Sequence, residues 1–217
     1  MTKIELVIGN KNYSSWSLRG WLALRMSGAQ FDEILVPLDR PETRAAIAAH
    51  SPTGLVPLLK CGDEVVWDSL AIAEWSAERY PEAGLWPSNP AARAVARSVC
   101  AEMHSGFSAL RGEFPMSIRR EEQGRAFSSE TQKDIERICE LWTFCREKFG
   151  QDGPFLFGSA SIADAFFAPV VSRFRTYRVQ LEGPTKDYAQ TILEWPLFQE
   201  WIAAAHEEPF KIGKYEE

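Results

Sequence analysis

The sequence predicts an α/β unit at the amino terminus and an all-helical unit after it. Two observations carry this prediction. Over the first eighty residues, short strand-like segments alternate with segments of helical spacing, which is typical of an α/β unit. After residue 90, apolar residues recur three and four positions apart, which is typical of helices with one buried face. At 217 residues and 45% hydrophobic content, the chain is long enough to bury sizeable cores.

Residues 1–80 are predicted to contain seven elements in the order β-α-β-α-β-β-α. Their expected bounds are strand 3–8, helix 17–26, strand 33–36, helix 41–49, strands 55–60 and 64–67, and helix 69–79. Gly28 stands where the first helix would end, and Pro41 stands in the first turn of the second helix, where proline is tolerated. This element order is that of a thioredoxin-like domain.

Residues 81–90 are the predicted linker, because they contain three prolines and a glycine. Residues 91–217 follow as a helical domain, with helices expected over 91–114, 130–149, 161–171 and 196–205. Ser161 and Asp164 have nearly the spacing of a capping box at the start of the third of these helices. The same helix is almost wholly apolar and is expected to be the buried centre of the domain, although Pro169 should kink or shorten it.

Composition and charge narrow the classes of function. The net charge is −6 and no basic stripe exists, so nucleic acid is not an expected partner. No run approaches the roughly 18 apolar residues of a membrane helix, and the first residues do not resemble a signal peptide. Four widely spaced cysteines and three scattered histidines show no metal-binding or redox spacing. We therefore expect reduced thiols, no metal and a cytoplasmic location.

Two short motifs of the α/β unit suggest a site for an extended peptide with a carboxylate. Pro57 cannot donate to a strand ladder, and a cis Val56–Pro57 bond would turn the Val56 backbone groups outward, where a peptide can pair with them. Asp68 or Ser69 would cap the next helix, whose free N–H groups attract a carboxylate. Each motif alone also fits an edge proline or an ordinary cap, and their order and spacing together favour the binding site.

The loop before the first helix is a candidate for thiol activation. A free thiol has a pKa of about 8.5, and lowering it by two units needs roughly 2.7 kcal/mol. A hydroxyl hydrogen bond from Ser14 or Ser15 and the helix terminus could together supply this. The alternative is that these serines only cap the helix.

The motifs 14–19, 51–59 and 68–74 resemble those of the cytosolic glutathione transferase superfamily. The active-site loop is most similar to that of the zeta class, which includes the maleylacetoacetate isomerases. The resemblance implies that Ser14 donates a hydrogen bond to the glutathione sulfur and that Ser15 is a second donor. Trp16 stands where the zeta and beta classes have cysteine, so no protein thiol is present at that position. Tyr13 is an alternative partner of the thiol.

The resemblance also assigns the rest of the glutathione site. Val56, with Pro57, would bind the cysteinyl backbone, and Asp68 with Ser69 would bind the γ-glutamyl group. The electrophile pocket is expected to contain five residues: Trp16, Met103, His104, Phe107 and Arg111. Here His104 could position the substrate or assist proton transfer, and Arg111 could bind an acidic substrate. A backbone-bonded histidine and a surface ion pair are the alternative for the last two.

The predicted function is that of a glutathione transferase that activates glutathione for attack on a small electrophile. Glutathione is the expected co-substrate, and Met103, Phe107 and Phe114 suggest an apolar or aromatic electrophile. One alternative is a glutathione-dependent cis-trans isomerase of the maleylacetoacetate type. Another is a non-catalytic ligand-binding or protein-interaction module with the same fold. Family members are usually homodimers, which is also expected here.

Overall fold

The computed structural model describes residues 2–215, apart from the side chain of Lys214. The predicted domain bounds include residues 1, 216 and 217, which lie outside this part. The amino-terminal unit has the predicted order β-α-β-α-β-β-α. Its elements are β1 (Ile4–Ile8), α1 (Ser15–Met26), β2 (Asp32–Leu35), α2 (Thr43–Ala48), β3 (Leu58–Cys61), β4 (Glu64–Trp67) and α3 (Ser69–Arg79).

The four strands form one mixed sheet in the order β2-β1-β3-β4. Strand β1 runs parallel to β2 and antiparallel to β3, and β3 pairs with β4 through the turn at Gly62. Side chains alternate between the two faces of a strand. Leu6 and Leu59 therefore face the large core with α1 and α3, whereas Val7 and Leu58 pack with Ile47 of α2 on the other face.

The remaining helices form the predicted helical unit. They are α4 (Pro90–Ser105), α5 (Ser108–Glu113), α6 (Ser129–Phe149), α7 (Ile162–Thr176), α8 (Gly183–Glu194) and α9 (Pro196–Glu207), with short 3₁₀ turns at Pro81–Ala83 and Gly213–Tyr215. Every residue of α7 except Arg175 is buried, as expected for the central helix. Pro169 lies inside α7 but does not shorten it, because the helix continues to Thr176.

A capping box begins α7. The Asp164 carboxylate accepts hydrogen bonds from the Ser161 N–H at 2.8 Å and the Ser161 hydroxyl at 2.9 Å. It also accepts from the Leu156 N–H and the Tyr188 hydroxyl, both at 3.1 Å. Complete burial outweighs these bonds and raises the pKa of Asp164 to about 6. This carboxylate joins α7 to the preceding loop and to α8.

One prediction for the helical unit was wrong, and one helix was not predicted. The helix expected over 91–114 is broken at Gly106 and Phe107, where Phe107 has a φ of +58° and begins α5. A Cβ at Gly106 would lie 2.8 Å from the carbonyl oxygen of Glu102, so a larger residue could not make this turn. Helix α8 was not predicted, although its buried residues follow helical spacing: Thr185, Tyr188, Ala189 and Ile192.

Within residues 2–215, no helix has the length and apolar character needed to cross a membrane.

Candidate active site

The Val56–Pro57 peptide bond is cis, and it lies at the wall of a cavity of about 310 Å³. Strand pairing of β3 begins at Leu58, so the backbone of Val56 takes no part in the ladder. The cavity, called the first cavity below, is lined by Trp16, Thr53, Leu55, Val56, Pro57, Trp67, Asp68 and Ser69. The four predicted glutathione contacts Val56, Pro57, Asp68 and Ser69 thus share one cavity.

Asp68 and Ser69 stand at the start of α3. Asp68 has a φ of +75°, which is uncommon for a residue with a side chain and typical of functional positions. Its Oδ1 accepts the Leu70 N–H at 2.8 Å, and its Oδ2 lies 3.2 Å from Nε2 of His104. Ser69 is 1% exposed, and its hydroxyl has no hydrogen-bond partner among the described residues. The helix terminus and this hydroxyl are suited to bind a carboxylate.

Ser14 is the N-cap of α1. Its Oγ accepts the Ser17 N–H at 3.3 Å and donates to Ser17 Oγ at 2.8 Å. Ser17 Oγ in turn accepts the N–H of Gly9 at 3.0 Å. Both hydroxyls are buried. Ser14 lines neither the first cavity nor a second cavity on the side of Ser15. Ser14 therefore caps α1, which was the alternative left open by the sequence. If the hydrogen bond between the two hydroxyls reversed, so that Ser17 donated to Ser14, the Ser14 proton would be free for another acceptor.

Ser15 lies in a second cavity, of about 370 Å³, and is bound there by an arginine. Arg173 Nη2 donates to Ser15 Oγ at 3.1 Å, and its Nε donates to the carbonyl oxygen of Phe114 at 2.8 Å. The second cavity is lined by Tyr13, Ser15, Trp16, Arg111, Pro115, Met116, Arg173 and Tyr215. Because Ser15 only accepts from Arg173, its own proton can be donated elsewhere.

The second cavity is positively charged. Burial, and to a smaller extent the nearby Arg111, lowers the pKa of Arg173 to about 10. Burial also lowers the pKa of Arg111. Both guanidinium groups remain charged at neutral pH. Two cations beside a serine hydroxyl are suited to an anionic ligand.

Trp16 lines both cavities. The ring centroid lies 4.5 Å from the Arg19 guanidinium carbon and 5.3 Å from that of Arg111, and the His104 ring packs edge-on at 5.1 Å. At these distances the two arginines interact with the ring as cation–π pairs.

His104 and Arg111 lie on α4 and α5, not on one helix as predicted, because the chain breaks between them. They remain neighbours: Arg111 Nη1 donates to the carbonyl oxygen of His104 at 3.2 Å. Met103 and Phe107, in contrast, are buried in the core and line neither cavity. The structure therefore brings Trp16 and Arg111 to the cavities. His104 lines neither cavity but contacts two residues that do, Trp16 and Asp68.

The Tyr13 ring lines the second cavity, but its hydroxyl is bound by the carboxy-terminal segment. This oxygen accepts the Ile212 N–H at 3.1 Å and lies 3.4 Å from Arg119 Nη2. The Glu208 carboxylate accepts the N–H groups of Lys11 at 3.1 Å and Asn12 at 3.3 Å. The segment after α9 thus holds the loop that carries Tyr13, Ser14 and Ser15.

Sequence reasoning missed Arg19, Arg173 and Glu208. Arg19 and Arg173 lie in helices that contain many apolar residues. A charge on the buried face of such a helix is a usable signal, because buried charges are rare without a function or a partner. Nothing in the sequence near Glu208 relates it to residues 11 and 12.

No group of three potential ligands suited to a metal ion occurs among the described residues. The four cysteines are free, and none lines the two cavities. Burial raises the pKa of Cys139 to about 11 and that of Cys145 to about 12. The site therefore has hydroxyl and guanidinium groups but no protein thiol.

The cis-proline cavity and the serine-capped helix, set in a thioredoxin-like fold, define a thiol-binding enzyme of the thioredoxin-like class. The models of two known domain families match this chain. Residues 13–79 match the model of the glutathione S-transferase N-terminal domain, and residues 73–204 match that of the C-terminal domain. The chain belongs to the glutathione S-transferase family. The predicted glutathione transferase activity, with glutathione as the co-substrate, is confirmed.

Several relatives are of the zeta type. Glutathione S-transferase Z2 of Arabidopsis thaliana is 28% identical over 202 residues, which cover 87% of this chain and 88% of that protein. Maleylpyruvate isomerase of a Ralstonia species is 28% identical over 185 residues, with 79% and 85% covered. The solved holo structure of a bacterial zeta-class maleylpyruvate isomerase superposes with a TM-score of 0.73 at 23% identity, covering 96% of this chain and 100% of that one.

Proposed function

We propose that this glutathione transferase adds the glutathione thiolate to a small acidic electrophile held in the second cavity. The observation that carries the proposal is the position of Arg111 and Arg173 beside Ser15, across Trp16 from the cis-proline cavity. The apolar substrate expected from Met103 and Phe107 has less support, because those side chains are buried in the core.

Glutathione would lie in the first cavity. Its cysteinyl backbone would pair with the unpaired backbone of Val56, like a strand added to the sheet. Its γ-glutamyl carboxylate would bind at the start of α3, where Ser69 has a buried and unpartnered hydroxyl. Asp68, exposed beside it, would take the γ-glutamyl ammonium group.

Thiol activation would use Ser14 and the amino terminus of α1. When Ser17 donates to Ser14 instead of accepting from it, the Ser14 proton is free to bond to the sulfur. A local shift must bring the two atoms together, because Ser14 is buried and lines neither cavity. A charge-assisted hydrogen bond contributes roughly 1.5–3 kcal/mol, enough to lower a thiol pKa by one to two units. Ser15 is the second donor, on the side of the electrophile.

Conjugation then needs only positioning. The thiolate attacks an electrophilic carbon, a C–S bond forms, and a leaving group such as chloride departs with the electron pair. Arg111 and Arg173 would hold the carboxylate of the electrophile and orient its reactive carbon toward the sulfur.

The second candidate is the cis-trans isomerisation that was left open as an alternative. Relatives of this chain are named maleylpyruvate isomerase, maleylacetoacetate isomerase and probable maleylacetoacetate isomerase. The thiolate would add to one carbon of a cis double bond, rotation would follow about the resulting single bond, and loss of the thiolate would give the trans product. Such a reaction consumes no glutathione. The arginines of the second cavity suit an acidic substrate of this kind as well.

Two experiments test the main proposal, and a third separates the two candidates. Glutathione is titrated into the protein while thiolate absorbance is followed against pH, and we expect thiolate well below the free-thiol pKa of about 8.5. Turnover of 4-chloro-3,5-dinitrobenzoate is then compared with that of its carboxamide. A clear preference for the acid supports the proposal, and equal turnover contradicts it. Isomerisation is measured with maleylpyruvate, as trans product formed without loss of glutathione.

We further propose a homodimer in the cytoplasm. The exposed edge strand β4 carries Val65 and Trp67, which are 41% and 47% exposed and could be covered by a second copy. Free cysteines fit a reducing compartment. Light scattering after size exclusion, with Trp67→Lys as the variant, tests the dimer.

A further inference from the structure

Arg19 is a completely buried cation without a hydrogen-bond partner. It lies on α1, one helical turn after Ser15, and is 0% exposed. None of its three guanidinium nitrogens is bonded to a described residue. Burial, with Arg173 and Arg111 nearby, lowers its pKa to about 9, so it is charged at neutral pH. Buried charges in proteins are normally paired, because unpaired ones are costly.

Aromatic rings cover this guanidinium. Its central carbon lies 4.5 Å from the ring centroid of Trp16 and 5.3 Å from that of Phe166. Cation–π contacts stabilise the charge in part but leave the N–H groups unsatisfied. Trp16 lines both cavities whereas Arg19 lines neither, so the indole lies between the guanidinium and the open space.

A second unpartnered nitrogen lies against the same rings. The ring of His104 is 5.1 Å from Trp16 and 6.3 Å from Phe166, and its Nδ1 is buried without a partner among the described residues. Ser69 Oγ, also unpartnered, lies in the cavity that Trp16 closes on one side. In the part of the chain that the structure describes, five of the eight buried side-chain atoms without partners therefore belong to three residues around Trp16.

We propose that Trp16 covers a latent carboxylate site formed by Arg19. When the indole leaves its place between the cavities, the guanidinium opens toward them and can bind a carboxylate through two parallel hydrogen bonds. The two cavities then become continuous. The inference rests on the proposed function for the source of the carboxylate, which is the acidic electrophile. Arg111 and Arg173 would hold this carboxylate on entry to the second cavity, and Arg19 would bind it once Trp16 has moved, so Trp16 is a specificity-determining residue.

Binding of a carboxylate would replace the contacts of Trp16 with hydrogen bonds to Arg19. Moving Trp16 loses its contacts with Arg19, Arg111 and His104, which hold it closed when no anion is present. A carboxylate replaces them with charge-assisted bonds to a guanidinium that had none. A ligand without a negative charge gains too little to displace the ring, so the cover discriminates by charge.

The test uses benzoate and its neutral isostere benzamide, without glutathione, and measures affinity by calorimetry. Benzoate should bind at least tenfold more tightly than benzamide. Arg19→Met should weaken benzoate binding at least tenfold, and its melting temperature should not fall, because an unpaired buried charge has been removed. Trp16→Ala should tighten benzoate binding, since no ring has to move. The matched control is Arg97→Met, at an exposed arginine paired with Glu74, and it should bind benzoate normally.

Three results would overturn the proposal. Equal affinity for benzoate and benzamide would show that the site does not distinguish a negatively charged ligand from a neutral one. Normal benzoate binding by Arg19→Met, with loss in Arg111→Met, would place the anion in the open second cavity. Weaker binding by Trp16→Ala would make Trp16 a wall and not a cover. If Arg19→Met does not fold, Arg19→Lys and Trp16→Ala still decide the question. Because glutathione is absent, these outcomes are independent of the thiolate titration.

Discussion

Arg173 donates a hydrogen bond to Ser15 across the boundary between α7 and α1, with 3.1 Å between Nη2 and Oγ. The arginine is 4% exposed and is also bonded to the carbonyl oxygen of Phe114. This bond joins the central helix of the helical unit to the helix that carries the candidate catalytic serines. It also places a fixed positive charge beside the point where a thiolate would form.

Arg111→Met is expected to raise the KM for 4-chloro-3,5-dinitrobenzoate about tenfold and to leave its carboxamide nearly unaffected. Loss of the ion pair between Arg111 and the partly desolvated carboxylate of the substrate accounts for an effect of this size. Arg111 is half-buried, so this variant should fold more readily than one at Arg173. Steady-state kinetics with both substrates measures the effect, with Arg137→Met as the exposed control. A similar loss for the carboxamide would mean that the change disturbs the cavity in general.

Ser14→Ala is expected to raise the pKa of bound glutathione by one to two units, because it removes a hydrogen bond to the thiolate. Ser17→Ala should raise it by a smaller amount, since Ser17 then no longer donates to Ser14. The pH dependence of thiolate absorbance measures both shifts. Ser105→Ala, an exposed serine bonded to its own helix backbone, is the control. An unchanged thiol pKa in Ser14→Ala would exclude its assigned role.

Ser69→Ala should weaken glutathione binding about tenfold, which corresponds to roughly 1.4 kcal/mol. The reason is that the hydroxyl is buried, has no partner in the described residues and stands at a helix amino terminus. Calorimetric titration with glutathione checks this prediction. The matched serine is Ser98, which is exposed and bonds to the carbonyl of Ala94; Ser98→Ala should bind normally. An unchanged affinity of Ser69→Ala for glutathione would mean that the γ-glutamyl carboxylate binds elsewhere.

Asp164 should make stability depend on pH in a direction unusual for a carboxylate. Its pKa is raised from 3.8 to about 6 in the folded protein, so the folded state binds the proton more tightly than the unfolded state. This contribution is present below the unfolded pKa and is lost as pH rises through about 6.

Urea unfolding of the wild type and Asp164→Asn between pH 4 and pH 7 measures the effect. The stability advantage of the wild type should shrink by roughly 2 kcal/mol over this range. An advantage that grows with pH would show that the four hydrogen bonds to the carboxylate outweigh its burial.

The sequence predicted the elements of the α/β unit well, because strong local signals mark them. Pro57, Gly62 and the Asp68 cap each fix a boundary through backbone chemistry. The break at Phe107 could not be predicted in this way, since its left-handed backbone runs against the preference of a bulky residue and depends on the surrounding packing.

The candidate site was only partly predictable for a similar reason. Ser14, Val56 and Ser69 lie in short motifs whose chemistry is local. Arg173 meets Ser15 from 158 positions away, and helical spacing alone does not say which side chain of a buried helix will reach another unit. Long-range polar contacts are set by how the two units pack.

The attachment of Glu208 to Lys11 and Asn12 has a consequence for synthesis of the chain. Domains generally fold from the amino terminus as they emerge during translation, and the first sheet and its helices can form early. The loop with the candidate catalytic serines, however, receives its last backbone partners only when the segment after α9 has been made. A nascent chain that lacks this segment would hold a folded amino-terminal unit with an unfinished candidate site, so catalytic competence should appear only after Glu208 has been translated.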